Sequence, residues 1–247
     1  MSNEISISIV SAGVDSPEWA ELLIKSIRKY TTLPHEIIII DNGSLPENLT
    51  WLRAQKDIRL VENGYNAGHG GAMDNGTVLA RGKYVCVLDI DSHIQSEGWD
   101  KALVALYNSN GRSRLIGCVG PDHKPLHPPL FFFEKQFILK HGISFRHIPN
   151  VSTDTAQKAY WDIKALGFEV VRLPKGAKVY GCVGDEIWLD GKPLCCHVWY
   201  GTRFCHNNPA RRKTELDGYR IEDFLANQAK LFTEPQVKEI LAFGVPG

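Results

Sequence analysis

Two aspartates directly after an apolar segment are the residues in this sequence best suited to chemistry. Tyr84–Leu88 is typical of an interior strand of a parallel sheet, and Asp89 and Asp91 follow it at once. Ligands of open α/β sheets bind at the carboxyl ends of the strands. Carboxylates there suit a hard divalent cation, Mg²⁺ or Mn²⁺, and through it a phosphate. The alternative is a turn in which Asp91 caps the next segment, since aspartate is common in turns and at helix starts.

The elements that must position these aspartates alternate between strand and helix. Apolar periodicity predicts strands at 5–10, 36–41, 58–62 and 84–88, with helices at 17–30, 46–56 and 72–81 between them. The isoleucines at 37–40 must be buried on both faces of a sheet. This order implies right-handed crossovers and a parallel sheet covered by helices on both faces, as in a nucleotide-binding α/β half.

The rest of the sequence is less regular. Its patterns predict a helix near 99–106, a strand at 115–119, an irregular proline-rich segment at 121–129, a strand at 130–133, a helix at 154–166, strands at 169–173 and 178–183, and two tail helices within 219–243 that are broken near Pro235. We find no internal repeat or low-complexity tract.

Composition excludes several classes of protein. The 247 residues carry 28 basic and 28 acidic side chains, so the net charge is zero and a basic nucleic-acid surface is not indicated. No apolar run approaches the roughly 18 residues of a transmembrane helix, and the N-terminus lacks the basic region of a signal peptide. The scattered cysteines, with Cys86 and Cys118 in predicted strands, indicate reduced thiols. We therefore expect a cytoplasmic protein.

A third aspartate and a glycine-rich loop precede the pair. Asp41 ends the isoleucine strand, so it reaches the same edge of a parallel sheet and can accept hydrogen bonds from a base or a ribose. Its alternative role is to stabilise the turn that begins with Asn42-Gly43. The loop at 63–71 precedes a helix and lets the backbone approach an anion closely. It matches neither the dinucleotide-binding fingerprint nor a P-loop.

Taken in order, these motifs resemble the family-2 glycosyltransferases of the GT-A fold. The matching pieces are Ile39-Ile40-Asp41-Asn42-Gly43-Ser44, Asn66-Ala67-Gly68, Asn75-Gly76 with Ala80 to Tyr84, and Asp89-Ile90-Asp91. The resemblance implies an α/β GT-A fold with a Rossmann-like nucleotide-binding half, a mostly parallel central sheet and a smaller mixed acceptor-side half. We expect one catalytic domain over 1–206, divided into 1–92 and 93–206, and a helical extension over 207–247.

The resemblance also implies roles for individual residues. It implies a UDP- or GDP-linked sugar donor that contacts Ala12, Asp41, Asn66, Gly68 and Asp89. It implies Mn²⁺ or Mg²⁺ on Asp91, with Asp89 and with His197, which fits a histidine found late in this fold. By the same resemblance, Asp154 is the base that deprotonates an acceptor hydroxyl for an inverting single displacement.

Several of these roles have alternatives. Asp154 with Gln157 also makes a good capping box, and Asp185 and Glu186 are rival bases. His197 could simply be packed and hydrogen-bonded. A zinc site is a further alternative that the absence of C-x-x-C spacing disfavours; its ligands would be Cys195, Cys196, His197, Cys205 and His206.

The expected function is a soluble, non-processive transferase that adds single sugars to a glycan, lipid-linked or protein acceptor, because the Gln-x-x-Arg-Trp signature of processive synthases is absent. A haloacid-dehalogenase-like phosphohydrolase would use Asp89 as nucleophile, but its motif usually lies on the first strand. A sugar-phosphate nucleotidyltransferase would carry a basic glycine-rich loop after that strand, unlike Ser11–Asp15. A catalytically inactive binding module is the non-enzymatic alternative.

Two features of the C-terminal part concern partners. A basic cluster could meet donor phosphates, or it could be a solvated face; it consists of Arg203, Arg211, Arg212 and Lys213. The tail helices could pair two copies of the chain, which leaves a homo-oligomer open.

Overall fold

A computed structural model describes residues 4–120, 125–148, 154–179, 184–204, 207–216 and 218–244. Its strands are β1 (Ile7–Gly13), β2 (His35–Asp41), β3 (Ile58–Glu62), β4 (Tyr84–Leu88), β5 (Ser92–Ile94), β6 (Ser113–Cys118), β7 (His127–Glu134), β8 (Glu169–Leu173), β9 (Lys175–Val179), β10 (Gly184–Leu189), β11 (Lys192–Val198), β12 (Glu215–Leu216) and β13 (Tyr219–Arg220). Its helices are α1 (Pro17–Tyr30), α2 (Thr50–Ala54), α3 (His69–Leu79), α4 (Trp99–Ser109), α5 (Lys135–Lys140), α6 (Gln157–Ala165), α7 (Gly201–Phe204), α8 (Ile221–Leu231) and α9 (Pro235–Leu241).

The central sheet has seven strands in the order β3-β2-β1-β4-β7-β6-β8. Neighbouring strands are parallel except at β7, which runs antiparallel to both β4 and β6. The predicted mostly parallel α/β sheet is therefore confirmed, and the fold is the GT-A fold. The carboxyl ends of β1, β2 and β4 meet at one edge, which carries Asp41 and the aspartate pair.

Helices cover both faces of this sheet, as the isoleucine strand predicts. Ile37 and Ile39 pack into one core with α1 and α4, while Ile38 and Ile40 pack into another with α3, α5 and α6. Each of the four is at most 2% exposed. At about 1.5–3 kcal/mol for each fully buried aliphatic side chain, this strand is a large source of stability.

A second, antiparallel sheet in the order β5-β11-β10-β9 packs beside the first. It was not predicted as a sheet: β5, β10 and β11 were missed. The predicted strand at 178–183 overlaps only the end of β9, and 180–183 lie outside the described residues. Because β5 starts directly after Asp91, this sheet joins the carboxyl end of β4 to the second half of the chain.

The tail helices are confirmed, with the break at Pro235. They share a third core with α1 and the back of β11, which includes Trp19, Val198, Phe224 and Ile240. Residues 207–244, where described, therefore pack onto the nucleotide-binding half. None of the helices in the described part of the chain has both the length and the apolar character required to cross a membrane.

Two further predictions were wrong in detail. The segment at 121–129 was predicted to be irregular. Residues 121–124 lie outside the described residues, but β7 begins at His127 and includes both Pro128 and Pro129. Proline has no backbone N–H to donate between strands. The two prolines are tolerated here because the β6–β7 register shifts between Gly117 and Cys118, where regular hydrogen bonding is interrupted. The helix predicted from Asp154 begins at Gln157 instead.

Candidate active site

The aspartate pair lies in a tight turn between β4 and β5. The Asp89 amide donates to the Pro129 carbonyl at 3.2 Å, and the Ser92 amide donates to the Asp89 carbonyl at 3.0 Å. Asp89 and Asp91 are 9% and 6% exposed. Two nearly buried carboxylates this close together need a positive partner, because unpaired buried charge is costly.

Strand β11 brings a histidine to these carboxylates. His197 is the cross-strand partner of Ser92, and the Val198 amide donates to the Asp91 carbonyl at 2.9 Å, so the register fixes His197 beside the turn. The His197 Nε2 atom lies 3.5 Å from Asp91 Oδ1 and 3.6 Å from Asp89 Oδ2. Ligand atoms of the three residues lie within 4.8 Å of one another.

This donor set fits a divalent cation. Neighbouring ligands of an octahedral ion with bonds of about 2.1 Å lie about 3 Å apart, so 3.5 and 3.6 Å require only small side-chain adjustments. The second imidazole nitrogen of His197, Nδ1, is buried and has no hydrogen-bond partner within the described structure. Two carboxylates and an imidazole suit Mn²⁺ better than Mg²⁺, which favours oxygen ligands.

The backbone beyond β11 closes around Asp91. The Thr202 amide donates to Asp91 Oδ2 at 3.3 Å. A Cβ atom on Gly201 would lie only 2.7 Å from the Asp91 Cβ and 2.9 Å from the Trp19 ring. Glycine is therefore required at position 201, and α7 fixes the orientation of this carboxylate.

His69 is a site residue that was missed from the sequence. It is the first residue of α3, and its Nε2 lies 2.9 Å from Asp89 Oδ1. One oxygen of Asp89 therefore faces His69 and the other faces His197. The only sequence signal was a histidine inside the glycine-rich loop, which does not reveal its partner. His127 was also missed; its ring lies 5.3 Å from that of His197.

The electrostatics of the cluster follow from these contacts. Burial acts to lower the pKa of His69, but the charge and hydrogen bond of Asp89, with the charges of Asp91 and Asp154, raise it above its ordinary value. Burial likewise opposes protonation of His197, yet Asp91 and Asp89 raise its pKa. Burial acts to raise the pKa of Asp89, but the surrounding histidines hold it well below its usual range. The site is thus built to keep Asp89 ionised.

Asp41 lies at the end of β2, opposite Gly13 of β1, as predicted. Its carboxylate accepts hydrogen bonds from the Gly43 amide at 3.1 Å and from both the amide and the hydroxyl of Ser44. The turn role considered from the sequence is therefore present. Contact with a base or a ribose would use the remaining acceptor capacity of this carboxylate and stays a prediction.

The other predicted donor contacts lie on the same edge. Ala12 is near the end of β1, opposite Ile40. The Asn66 side chain accepts a hydrogen bond from the Gly68 amide at 2.8 Å, and Gly68 (φ +73°) precedes α3 as its N-cap. Asn66 thereby shapes the loop that presents His69. Their contact with a donor stays a prediction.

Asp154 does not form the capping box. The left-handed Ala156 (φ 67°) starts α6 without a side-chain cap, and the Asp154 carboxylate accepts from the Thr155 amide at 2.8 Å. The Ala156 amide donates to the Phe145 carbonyl at 3.0 Å, and that carbonyl packs where a Cβ on Gly70 would lie, 2.4 Å away. Asp154 is therefore held near the start of α3, within electrostatic range of His69.

The rival bases have other partners. Asp185 is the cross-strand partner of His197 and faces the same side, but its Oδ2 binds Lys175 Nζ at 2.7 Å and Trp199 Nε1 at 3.0 Å. Glu186 pairs with Cys196 and so points to the opposite face of the sheet. There it accepts from Trp188 Nε1 at 3.1 Å. This geometry disfavours both residues as bases.

The zinc alternative gains no support. Burial raises the pKa of Cys195 well above its usual value, which keeps the thiol protonated. Cys196 packs into the third core, on the face opposite His197. Cys205 and His206 lie outside the described residues.

Comparison with known proteins decides the family. Residues 9–154, more than half of the chain, match the family described as glycosyl transferase family 2. This chain belongs to glycosyl transferase family 2. The match includes Asp41, the glycine-rich loop and the aspartate pair, and it leaves the phosphohydrolase and nucleotidyltransferase alternatives without support.

Curated relatives of this family-2 chain are themselves uncharacterized glycosyltransferases. One from Methanocaldococcus jannaschii is 25% identical over 174 residues, which cover 65% of this chain and 60% of that protein. One from Haemophilus influenzae is 26% identical over 115 residues, which cover 45% of this chain and 35% of that protein. The chain thus matches less than two thirds of the length of either relative.

Solved structures share the fold. The mannosyltransferase PcManGT from Pyrobaculum calidifontis, in complex with GDP-Man and Mn²⁺, aligns with a TM-score of 0.56 at 17% identity, over 68% of this chain and 54% of that one. S. aureus TarS 1-349 aligns with a TM-score of 0.54 at 14% identity, over 94% of this chain and 73% of that one. At these identities the likeness concerns the fold alone.

Proposed function

We propose that this family-2 chain transfers a sugar from a nucleotide-diphosphate donor to an acceptor hydroxyl, with a divalent cation on Asp89, Asp91 and His197. The observation that carries the proposal is the convergence of these three side chains within 4.8 Å at the edge where β1, β2 and β4 end. That edge is where α/β sheets bind nucleotides. A Mn²⁺ complex with a GDP-sugar in a protein of the same fold is consistent with this ligand class.

The position of each side chain suggests its role in the proposed reaction. Asp91 and His197 would hold the cation, and Asp89 would contribute the oxygen that His69 leaves open. The bound cation would neutralise charge that develops on the leaving diphosphate. His69 orients Asp89, and the Thr202 amide orients Asp91. Asp41, at the end of β2, would contact the base or the ribose of the donor.

Asp154 is the proposed base, and a single displacement with inversion is the proposed stereochemistry. Its carboxylate does not cap α6, and it lies near the His69 end of α3. It would remove the proton of the acceptor hydroxyl as that oxygen attacks the anomeric carbon. The competing carboxylate, Asp185, is already paired with Lys175.

Calorimetric titration with UDP and GDP, with and without Mn²⁺, tests the proposal. We expect one of the two to bind to the wild-type protein in a metal-dependent manner, and Asp91→Asn to lose that dependence. Absence of metal-dependent binding for both nucleotides would contradict the proposal and would favour a binding module without catalytic activity.

The configuration of the product tests the mechanism separately. NMR of the product glycoside should show an inverted anomeric centre. Retention would remove Asp154 from its proposed role while leaving the metal site untouched.

A further inference from the structure

Asp15 is a buried carboxylate for which the proposed chemistry has no use. It follows β1 in the left-handed backbone region (φ 49°), and its side chain is 0% exposed. A buried carboxylate is tolerated only where hydrogen-bond donors replace water. The donors around Asp15 come from two parts of the chain far apart in sequence.

The two oxygens of Asp15 divide these donors between them. Oδ1 accepts from the Leu45 amide at 2.7 Å and from Asn48 Nδ2 at 2.9 Å, both in the segment after β2. Oδ2 accepts from Asn208 Nδ2 at 3.1 Å and lies 3.6 Å from an Arg211 guanidinium nitrogen. One oxygen therefore holds the nucleotide-binding half, and the other holds a segment near the C-terminal end.

Backbone contacts reinforce both links. The Asp15 amide donates to the Ser44 hydroxyl at 2.7 Å, and that hydroxyl in turn donates to Asp41. The Asn207 amide donates to the Asp15 carbonyl at 3.0 Å. Asp15 is thus the junction between the turn of Asp41 and segment 207–213.

Segment 207–213 carries three of the four residues of the basic cluster: Arg211, Arg212 and Lys213. The fourth residue of the cluster, Arg203, is joined to this segment because the Lys213 amide donates to the Arg203 carbonyl at 3.0 Å. Asp15 and Asn48, to which the segment is attached, line a small cavity together with Asp41 and Ser44. The cluster is therefore attached beside the edge of the sheet that we assign to the donor.

We propose that Asp15 is a positioning residue that holds basic segment 207–213 beside the donor site, where its cations strengthen the binding of a nucleoside diphosphate. This inference rests on the proposed function. Arginine suits it, because the guanidinium has five N–H donors, of which Asp15 can engage only part. The cationic segment would also attract the anionic donor over a distance of about a Debye length.

Asp15→Asn separates the two links. Asparagine adopts the left-handed region at least as readily as aspartate, so the backbone is preserved. Its amide oxygen can keep the Leu45 and Asn48 contacts, but its amide nitrogen then faces the donors of Asn208 and Arg211. We expect faster hydrogen exchange at the Arg211 and Arg212 amides. We also expect the Kd for the nucleoside diphosphate with Mn²⁺ to rise about tenfold, the size of effect that follows when a ligand loses one charge-assisted hydrogen bond.

The double variant Asp15→Asn with Asn208→Asp should return both the exchange rates and the Kd to wild-type values. The Asn208 oxygen already accepts from the Ala210 amide at 3.1 Å, a contact that an aspartate keeps while its second oxygen accepts from the side-chain amide introduced at position 15. A loss of overall stability would speed exchange throughout the chain, whereas loss of this anchor speeds it in segment 207–213. Asp57→Asn, the same substitution in a pair with Arg28, is the matched control and should change neither measurement.

Each outcome is decisive. Unchanged exchange in Asp15→Asn would show that Asp15 does not anchor the segment. Faster exchange with an unchanged Kd would show that the segment does not contribute to donor binding. If Asp15→Asn does not fold, Asn208→Ala breaks the same contact from the other side. If the wild-type protein binds neither UDP nor GDP, the proposed function fails, and the donor part of this inference with it; the exchange comparison still tests the anchoring.

Discussion

The two sheets contribute to the site in different ways. The central sheet supplies Asp41 from the end of β2 and the aspartate pair from the end of β4, the two parallel strands that flank β1, each within a continuous local pattern. The antiparallel sheet supplies His197 through cross-strand register, from a residue more than 100 positions after Asp91. Local pattern therefore places the carboxylates, whereas long-range pairing places the imidazole. The comparison predicts that substitutions on the first sheet abolish the chemistry and that those on the second tune it.

The largest effect is expected at Asp91 on the central sheet. Asp91→Asn should lower turnover by about 10³-fold or more, because the proposed cation loses its principal charged ligand and charge on the leaving group goes unneutralised. The rim position should leave the unfolding midpoint nearly unchanged. Turnover and thermal unfolding measured together check this, with Asp57→Asn, which lies outside the site, as the control for turnover. Turnover of Asp91→Asn within tenfold of wild type would contradict the claim that substitutions on the first sheet abolish the chemistry.

A smaller effect is expected at His197 on the second sheet. His197→Gln keeps a polar group of similar reach but removes the imidazole, and it should weaken Mn²⁺ binding by about 10–100-fold while leaving Mg²⁺ binding less affected. Calorimetric titration with each metal measures the two affinities. Equal losses for both metals would show that the imidazole does not favour Mn²⁺.

His69 of α3 contacts one oxygen of Asp89, and His197 of the second sheet faces the other oxygen. His69→Phe should cost about tenfold in metal affinity, because Asp89 loses the imidazole contact that orients it but remains present. His69→Gln should recover part of the loss. If His69→Phe binds the metal as tightly as the wild-type protein does, His69 does not contribute to the metal site.

A packing effect on the central sheet comes next in size. A Cβ on Gly76 of α3 would lie 2.2 Å from Val10 Cγ1, so Gly76→Ala should destabilise the fold by about 1–3 kcal/mol. Gly111→Ala is the control, because nothing lies within 4 Å of its Cβ position. Urea unfolding compares the two. Equal stabilities would mean that α3 can move away from β1 at little cost.

The smallest effect lies outside both site regions, at the pair of Arg28 and Asp57. Burial acts to raise the pKa of Asp57, but the hydrogen bonds and charge of Arg28 outweigh it and hold that pKa below its ordinary 3.8. The pair therefore stabilises the fold above about pH 4, and this contribution is lost as the pH falls through the lowered pKa. Since Asp57 is 42% exposed, we expect at most about 1 kcal/mol. Wild type and Asp57→Asn should differ at pH 7 and converge near pH 2; a constant difference would contradict this.

The same contrast explains what could be predicted from the sequence. The strands that end in Asp41 and Asp89 were recognisable because burial on both faces produces continuous apolar runs. The contact between His69 and Asp89 was not recognisable, since it depends on how α3 packs against β1 and β2 of the central sheet. Strand β5 was missed because it has only three residues and carries no period of its own. His197 was proposed by resemblance alone; only the β5–β11 register supplies its physical reason.

The central claim is that one cation joins a carboxylate of the first sheet to the imidazole of the second. Pulsed electron paramagnetic resonance of the Mn²⁺-loaded protein tests it most directly, because a coordinated imidazole couples its ¹⁴N nucleus to the metal. The account predicts a ¹⁴N coupling in the wild-type protein that persists in His69→Gln and disappears in His197→Gln. Mn²⁺ bound without nitrogen coupling, or a coupling that survives in His197→Gln, would contradict it.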